Sequence, residues 1–303
     1  MDDKELFEFV GKEELQIKEF VRPSVSYWSD AWRRLKKNRF AMIGLVLIII
    51  LIVFAIIGPI ISPYEYDQTD LNNVYAPMSW KHIFGTDELG RDVLTRVLYG
   101  ARISLAVGFV ASFLNLIIGV IYGGISGYIG GRVDNIMMRI VDILYSVPIL
   151  LIVILLMVVL RPGLTNVFIA LGIAYWVGMA RIVRGQVLSL KEQEFTLAAK
   201  ALGADRKRIL LKHLIPNTIG PIIITATLLI PDAIFFESFL SFIGLGVSAP
   251  MASWGVLASD GVRAFRSHPN LFLVPSLFIC ITMLSFNFLG DGLRDSLDPR
   301  LRK

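Results

Sequence analysis

Two carboxylic acids interrupt a long apolar run in the second half of the chain. Asp232 and Glu237 lie within residues 219–245, and the hydroxyl-bearing Ser238 and Ser241 follow them. An ionisable side chain inside a membrane-spanning segment is costly and commonly faces a water-filled passage. These four residues are therefore candidates for lining a translocation path. The alternatives are positions near the outer membrane surface or hydrogen bonds between helices.

The spacing of the two acids restricts what they can do together. Five residues apart, they lie about 140° apart around an ideal helix. They can share one narrow path only if the neighbouring Pro231 distorts the helix. A proton relay in an ion-coupled transporter is a further alternative, but such transporters commonly show internal repeats, and none is evident in this sequence.

The sequence contains no recognisable catalytic set. It has neither a GxxxxGK[ST] phosphate loop nor an HExxH motif. The three histidines, His82, His213 and His268, are scattered, and the single cysteine, Cys280, allows no disulfide within the chain. We therefore expect that the chain is not an enzyme and binds neither ATP nor a metal by itself.

The composition predicts an all-α polytopic membrane protein. Of 303 residues, 55% are hydrophobic, and they form long runs rather than the short alternating segments of a β-barrel. The net charge of +5 is no nucleic-acid signal, because its distribution matters more than its sum. Six transmembrane helices are predicted, at 41–61, 101–125, 138–160, 165–183, 219–245 and 271–290.

The basic residues predict the orientation of these helices. Most of the 30 Lys and Arg residues fall inside if both termini are cytoplasmic. The predicted divisions are a cytoplasmic tail at 1–40, an extracytoplasmic segment at 62–100, a core at 101–290 with a cytoplasmic loop at 184–218, and a cytoplasmic tail at 291–303. Within the first tail, Trp28 and Trp32 fit either an interfacial lead-in helix or a helix packed on the bundle.

Four glycines recur at every fourth position near the end of the second predicted span. Residues at this spacing form a nearly straight groove on a helix, where another backbone can approach closely. We expect the groove to pack against a helix of this chain or of a partner subunit, and to bind no ligand. The glycines are Gly119, Gly123, Gly127 and Gly131.

A polar, basic stretch at 194–217 separates two apolar spans. Phe195, Ala198, Ala199 and Leu202 recur at helical spacing and predict a shallow apolar stripe on a short helix. Gly203 is expected to end that helix, Asp205 to cap a second one, and Pro216 to end the second. A small-residue stripe of this kind favours docking of another protein. The residues expected at the docking surface are Glu194, Ala198, Ala199, Leu202, Gly203, Leu210, His213 and Pro216.

The same stretch resembles the EAA loop of permease subunits in ABC importers. In that pattern EAA is followed after three residues by Gly and after nine more by Ile-x-Leu-Pro. The matching residues here are 197–199, Gly203 and 213–216. Leu197 stands where the family has an acidic residue, although Glu194 lies one turn earlier.

Further motifs resemble the C-type permease subunits of oligopeptide and dipeptide importers. The resemblance covers nearly everything from Trp32 onward. It is carried by FGTDELGRD at 84–92, YGARISL at 99–105, SFIGLGV at 241–247 with SWG at 253–255, and GDGLRD at 290–295 with DPR at 298–300.

The resemblance implies a type I ABC importer permease fold in a bacterial cell membrane. The implied partners are membrane lipid, a second and different permease subunit, two ATPase subunits that bind ATP and Mg²⁺, and an extracytoplasmic peptide-binding protein. No nucleic-acid partner is implied. Nickel and oligosaccharide importers share this architecture, so these cargoes remain alternatives to peptides at this stage.

Overall fold

The computed structural model describes residues 26–298. The predicted tails lie partly outside this range, at 1–25 and 299–303. The described part is almost entirely helical, which confirms the predicted all-α class. Its α-helices are α1 Tyr27–Leu35, α2 Arg39–Ile61, α3 Val93–Ile129, α4 Gly131–Ser146, α5 Ile149–Leu160, α6 Leu164–Lys191, α7 Glu194–Ala201, α8 Arg206–Arg208, α9 Ile215–Asn217, α10 Ile219–Phe242, α11 Trp254–Arg263 and α12 Asn270–Leu297.

Five of these helices, namely α2, α3, α6, α10 and α12, are long and apolar enough to cross a membrane. A sixth crossing is formed only if α4 and α5 count as one span, and these two helices meet at 85°. The prediction of one continuous helix over 138–160 is therefore wrong. The physical reason is Pro148, whose ring disfavours helical geometry at Val147, which is extended at φ −90° and ψ 130°.

Helix α3 begins earlier than the sequence predicts. Its first residue is Val93, and the side chain of Asp92 caps it by accepting a hydrogen bond from the Thr95 backbone N–H at 2.8 Å. The prediction of a span that starts only at residue 101 is thus incorrect. With 37 residues α3 is about 55 Å long, which exceeds the roughly 30 Å hydrocarbon core. Helix α3 therefore connects the preceding segment, residues 62–92, directly to the bundle.

Two other predicted boundaries move outward. Helix α6 continues to Lys191, so the predicted loop at 184–218 begins inside this helix. Helix α12 continues to Leu297, so the predicted tail at 291–303 begins as helix. Both helices continue beyond their apolar runs because their polar ends pack on other parts of the chain. In α6, for example, Lys191 Nζ donates a hydrogen bond to the Tyr128 carbonyl at 2.5 Å.

Helix α1 packs on the end of α12 with one face and exposes the other. Ala31 and Leu35 are buried, and the Tyr27 hydroxyl donates to the Leu297 carbonyl at 3.2 Å. Trp28 and Trp32 lie on the exposed side. The structure thus combines the two alternatives, because the helix packs on its own bundle while it presents two indoles outward.

The glycine groove of α3 packs against α6 of the same chain. A Cβ on Gly119 would lie 2.5 Å from the Met179 Cβ, and one on Gly123 would collide with the Ala180 carbonyl oxygen. Gly127 faces the backbone of Arg184 in the same way. Gly131 is different, since it lies beyond α3 with φ +56° and has nothing within 4 Å of a built Cβ. Its place in the predicted groove is a correction, caused by the helix break at Gly130.

The groove predicts a sharp contrast between two helical glycines. We expect Gly123→Ala to lower the thermal unfolding temperature of the detergent-purified protein, because overpacking costs about 1–3 kcal/mol. Gly185→Ala in α6 is the matched control, since its Cβ would meet nothing within 4 Å. It should be neutral or stabilise by about 0.5–1 kcal/mol, as Ala is the better helix former. Equal unfolding temperatures for the two variants would contradict the packing argument.

Candidate functional site

The loop between α6 and α10 begins with a well-defined helix stop. Gly203 has φ +81°, which an L side chain rarely adopts. The Gly203 N–H donates to the Lys200 carbonyl and the Ala204 N–H to the Ala199 carbonyl, both at 3.0 Å. This pair of bonds is the Schellman arrangement, which satisfies carbonyls that a helix end would leave free. The stop predicted at Gly203 is thus observed in the structure.

The second half of the loop does not end at its proline. Asp205 caps α8 as predicted, by accepting from the Arg208 backbone N–H at 3.2 Å. The chain then forms a π-helical turn at Ile209–Leu214 and continues through Pro216 into α10. The prediction that Pro216 ends a helix is wrong. The wide turn in front of it suits a residue that cannot donate a backbone hydrogen bond, and Pro216 itself lies in the first turn of α9, where no such bond is needed.

The predicted apolar stripe of α7 is split between two environments. Ala199 is buried together with Ile209 and Leu214, whereas Phe195 and Ala198 are exposed. Ala199 is therefore a packing residue of the loop and not part of its outer surface. Spacing alone placed Ala198 and Ala199 together, and the tertiary contact with the π-helical turn separates them.

The outer side of the loop carries large apolar side chains that nothing in the described chain covers. Leu202 is 88% exposed, and Phe195, Leu197 and Leu211 are 41–53% exposed. We call these four residues the loop surface. Of the other predicted docking residues, Glu194, Ala198, Gly203 and Pro216 are exposed, whereas Leu210 and His213 are half-buried.

The loop is fixed firmly to the bundle beneath it. The Thr196 hydroxyl donates to the Leu190 carbonyl at 2.8 Å, which ties α7 to the end of α6. Six residues earlier in α6, Arg184 forms two hydrogen bonds of 2.5–2.6 Å to the carboxylate of Asp134 in α4. A force on the loop surface would therefore reach α6 and α4.

A buried polar network joins α3, α10 and α11. Glu237 is fully buried and accepts hydrogen bonds from Ser104 at 3.0 Å and from Ser241 at 2.8 Å. The backbone N–H of Trp254 donates to the Ser104 oxygen at 3.2 Å, and its indole N–H donates to the Val97 carbonyl at 3.0 Å. This network, centred on Glu237, satisfies polar groups that the membrane interior could not solvate.

The structure separates the residues predicted to line a path. Glu237, Ser238 and Ser241 are enclosed within this chain, where Glu237 forms the interhelical hydrogen bonds considered as an alternative. Asp232 is exposed on the outside of α10. The helical spacing of about 140° accounts for this opposite placement, and Pro231 does not bring the two acids together.

The segment at 62–92 is held by a second buried cluster, which the sequence did not predict. Asp87 accepts hydrogen bonds from Arg91 Nε at 2.7 Å and from Arg96 at 2.5 Å. Arg96 also lies 3.9 Å from Asp260 of α11, and burial raises the pKa of Asp260 while Arg96 opposes the shift. An arginine at the start of an apolar helix was the available signal, because it requires a partner.

Among the residues described, no group of three or more metal-ligating side chains comes together. His82 instead bonds the capping Asp92 at 2.9 Å, and His268 stacks on Tyr75 with ring centroids 4.5 Å apart. The arrangement therefore offers hydrogen bonds and packing surfaces, with an exposed loop at one end and a charged cluster at the other.

Comparison with known proteins assigns this helical architecture to a family. Residues 115–303 match the family described as binding-protein-dependent transport system inner membrane component. Residues 26–77 match the N-terminal TM domain of oligopeptide transport permease C. The chain belongs to the binding-protein-dependent transport permeases. It is thus a membrane-embedded transport component, as its apolar helices indicate.

Individual relatives agree with this assignment over nearly the whole chain. A dipeptide transport system permease protein DppC from Bacillus subtilis is 57% identical over 93% of this chain and 88% of its own length. Oligopeptide transport system permease proteins OppC are 53% identical in Bacillus subtilis, over 99% of this chain and 98% of their own, and 46% identical in Escherichia coli, over 91% and 92%. The resemblance to C-type permeases is confirmed.

A solved structure supports the fold independently of sequence. The inward-facing MetNI methionine ABC transporter matches with a TM-score of 0.52 and 19% identity, over 67% of this permease and 96% of the solved chain. This likeness confirms the ABC importer permease fold.

The Asp87 cluster predicts that the stability of the segment at 62–92 depends on the negative charge of Asp87. Asp87→Asn removes the negative charge that compensates the buried Arg96, and we expect a loss of stability on the order of 3 kcal/mol. Limited proteolysis of residues 62–92 in the purified permease should accelerate. Glu88→Gln is the matched control, because Glu88 is its exposed neighbour. Proteolysis as slow in Asp87→Asn as in the control would show that the cluster does not hold the segment.

Proposed function

We propose that this permease is one transmembrane subunit of an ATP-driven importer of oligopeptides or dipeptides. It forms half of the translocation pathway, and a second, different permease subunit forms the other half. The single observation that carries the proposal is the exposed apolar loop surface on a rigidly mounted, EAA-like loop. The relatives named above are dipeptide and oligopeptide permeases, which supports peptides over nickel or oligosaccharides as cargo.

The loop surface docks an ATPase subunit in this proposal. Leu202 and its apolar neighbours provide contact area that is costly to leave in water, and burying one such side chain is worth about 1.5–3 kcal/mol. The surrounding Arg206, Lys207 and Arg208 are exposed and suit an acidic rim on the partner. Glu194 and Ala198 complete the contact, while Ala199 supports it from beneath.

Energy enters through the partners in this scheme. Two ATPase subunits bind ATP and Mg²⁺ and hydrolyse the nucleotide, and this chain contributes no cofactor site. An extracytoplasmic binding protein delivers the peptide. Closure of the ATPase subunits moves the loop surface, and the Thr196 and Arg184 bonds pass this movement to α6 and α4. The permease then exchanges between inward-facing and outward-facing states, whose populations the nucleotide shifts.

The orientation follows from charge and from the meeting of the chain ends. The Tyr27 hydroxyl bonds the Leu297 carbonyl, so both ends of the described chain lie at the same side of the bundle. The basic residues 33–39 precede α2 at this side and favour the cytoplasm. Both termini and the docking loop are accordingly cytoplasmic.

The docking proposal predicts that Leu202→Asp uncouples the importer. A carboxylate at the centre of an apolar contact should weaken ATPase association by tenfold or more, since roughly 1.5–3 kcal/mol of burial is lost. Copurification of ATPase subunits and ATP-driven peptide uptake in proteoliposomes measure the effect. Leu71→Asp is the control, because Leu71 is 73% exposed on the extracytoplasmic segment. Normal association and uptake in Leu202→Asp would rule out this docking surface.

A further inference from the structure

Asp232 carries an unpaired carboxylate in the interior of a membrane-spanning helix. It lies 13 residues after the start of α10, about 20 Å along the helix at 1.5 Å per residue. It is exposed, and no hydrogen bond or ion pair is recorded for its side chain within residues 26–298. Facing lipid would be costly for a carboxylate at this depth, so it must face another protein surface or a water-filled passage.

Tyr175 of α6 provides a second polar group without a partner at the same place. The residue is only 8% exposed, and its hydroxyl oxygen is buried with no hydrogen-bond partner in the described part of the chain. Phe236, whose ring packs against Tyr175, lies one turn after Asp232 on α10, so the two polar groups belong to one neighbourhood. A buried hydroxyl that remains unpaired is unfavourable, and a ligand that bonds to it at this site would remove that penalty.

Aromatic rings complete the surroundings of the two polar groups. Phe235 and Phe236 follow Asp232 at i+3 and i+4, so they share its face of α10. The ring of Phe236 packs edge-on against Tyr175 at 5.3 Å and against Phe235 at 5.6 Å. Phe235 is 48% exposed. An aromatic face beside a carboxylate is the chemistry that binds organic cations.

We propose that Asp232, Tyr175 and Phe235 form a subsite for an ammonium group of the peptide in transit. The carboxylate supplies a negative charge, the tyrosine hydroxyl oxygen accepts a hydrogen bond from the ammonium group, and the phenyl ring supplies a cation–π contact. This inference rests on the proposed function, since it names what the pathway recognises. Glu237 has no part in the subsite, because the serines of its own chain already enclose it.

The competing occupant is a basic side chain of the second permease subunit. A permanent ion pair in the membrane would need full hydrogen bonding of both partners to offset desolvation. Here one hydroxyl, one carboxylate and one half-exposed ring offer a shallow site. Transport favours such a site, because cargo must enter readily and also leave. The chemistry therefore favours the ammonium group of a transported peptide. An ion pair between Asp232 and the second permease subunit is the competing outcome that the test distinguishes.

Photocrosslinking in the complete importer tests the subsite directly. Phe235 is replaced by the photoreactive benzoylphenylalanine, and the importer is reconstituted with its ATPase subunits, its binding protein, ATP and a radiolabelled peptide without lysine. We expect label on this permease. Leu277 of α12, which is 57% exposed on another helix, carries the same replacement as control and should give none. Crosslinks to the second permease subunit alone would overturn the proposal.

Charge dependence provides the second measurement on the same preparation. In the Phe235 photoreactive background, Asp232→Asn should lower peptide crosslinking about tenfold, as the loss of one charge-assisted hydrogen bond implies. Asp232→Glu should restore most of it, and Tyr175→Phe should give a smaller loss. Crosslinking that is unchanged in Asp232→Asn would overturn the proposal.

Two peptides distinguish the sources of the ammonium group. The peptide without lysine offers only its α-ammonium, and an N-acetylated peptide with one lysine offers only a side-chain ammonium. Crosslinking of either supports the subsite and identifies the group, whereas crosslinking of neither overturns it. Peptide uptake by the unmodified importer is measured in parallel. Its absence would contradict the proposed function, while normal uptake without crosslinks would contradict the subsite alone.

Discussion

The hydrogen bonds to the buried Glu237 are the interaction on which much of this permease depends. Glu237 is fully enclosed by its own chain and cannot turn to water, so its hydrogen-bond partners come from that chain. Ser104 of α3 and Ser241 of α10 supply them, and Ser104 also receives the backbone N–H at the start of α11. Helix α3 is thereby joined at one polar point to α10 and α11, from which it is distant in sequence. Removing any partner would leave a buried polar group unpaired, which costs more than the hydrogen bond itself contributes.

Helix α3 connects the Glu237 network to contacts at both ends of the helix. Near its start it carries Arg96, which binds Asp87 and reaches Asp260, so the segment at 62–92 and α11 are held by the same helix. Toward the other end its glycines admit the backbone of α6, and α6 continues into the loop at 194–217. The outer cluster, the Glu237 network and the loop are therefore linked through two long helices in close contact. Such a link suits a transporter in which events on one side must change the other.

The sequence predicted what depends on local pattern and on the membrane itself. Apolar runs revealed the spans because hydrocarbon excludes unsatisfied polar backbone, and Gly203 revealed a helix stop because its left-handed geometry favours glycine. It did not reveal the break at Pro148, since a single Val–Pro step is compatible with either a kinked or a broken helix. It also did not reveal the early start of α3. Arg91 and Arg96 lie in a polar stretch of the sequence, and only the turn that brings Asp87 to them shows that they are buried. The division between Ala198 and Ala199 likewise depends on contacts that spacing cannot encode.

The two acids of α10 show how position on one helix separates structure from function. Both Asp232 and Glu237 are expensive in a membrane, and their types alone do not distinguish them. Glu237 accepts hydrogen bonds from serines of two helices, one at each carboxylate oxygen, so few of its acceptor positions remain for a ligand. Asp232, turned about 140° away, faces no partner within the described chain and stays accessible to a ligand. Within the described chain, no hydrogen bond or ion pair gives this carboxylate a structural role. In the proposed subsite, the aromatic rings and the unpaired Tyr175 hydroxyl beside it complete a place where an ammonium group can bind.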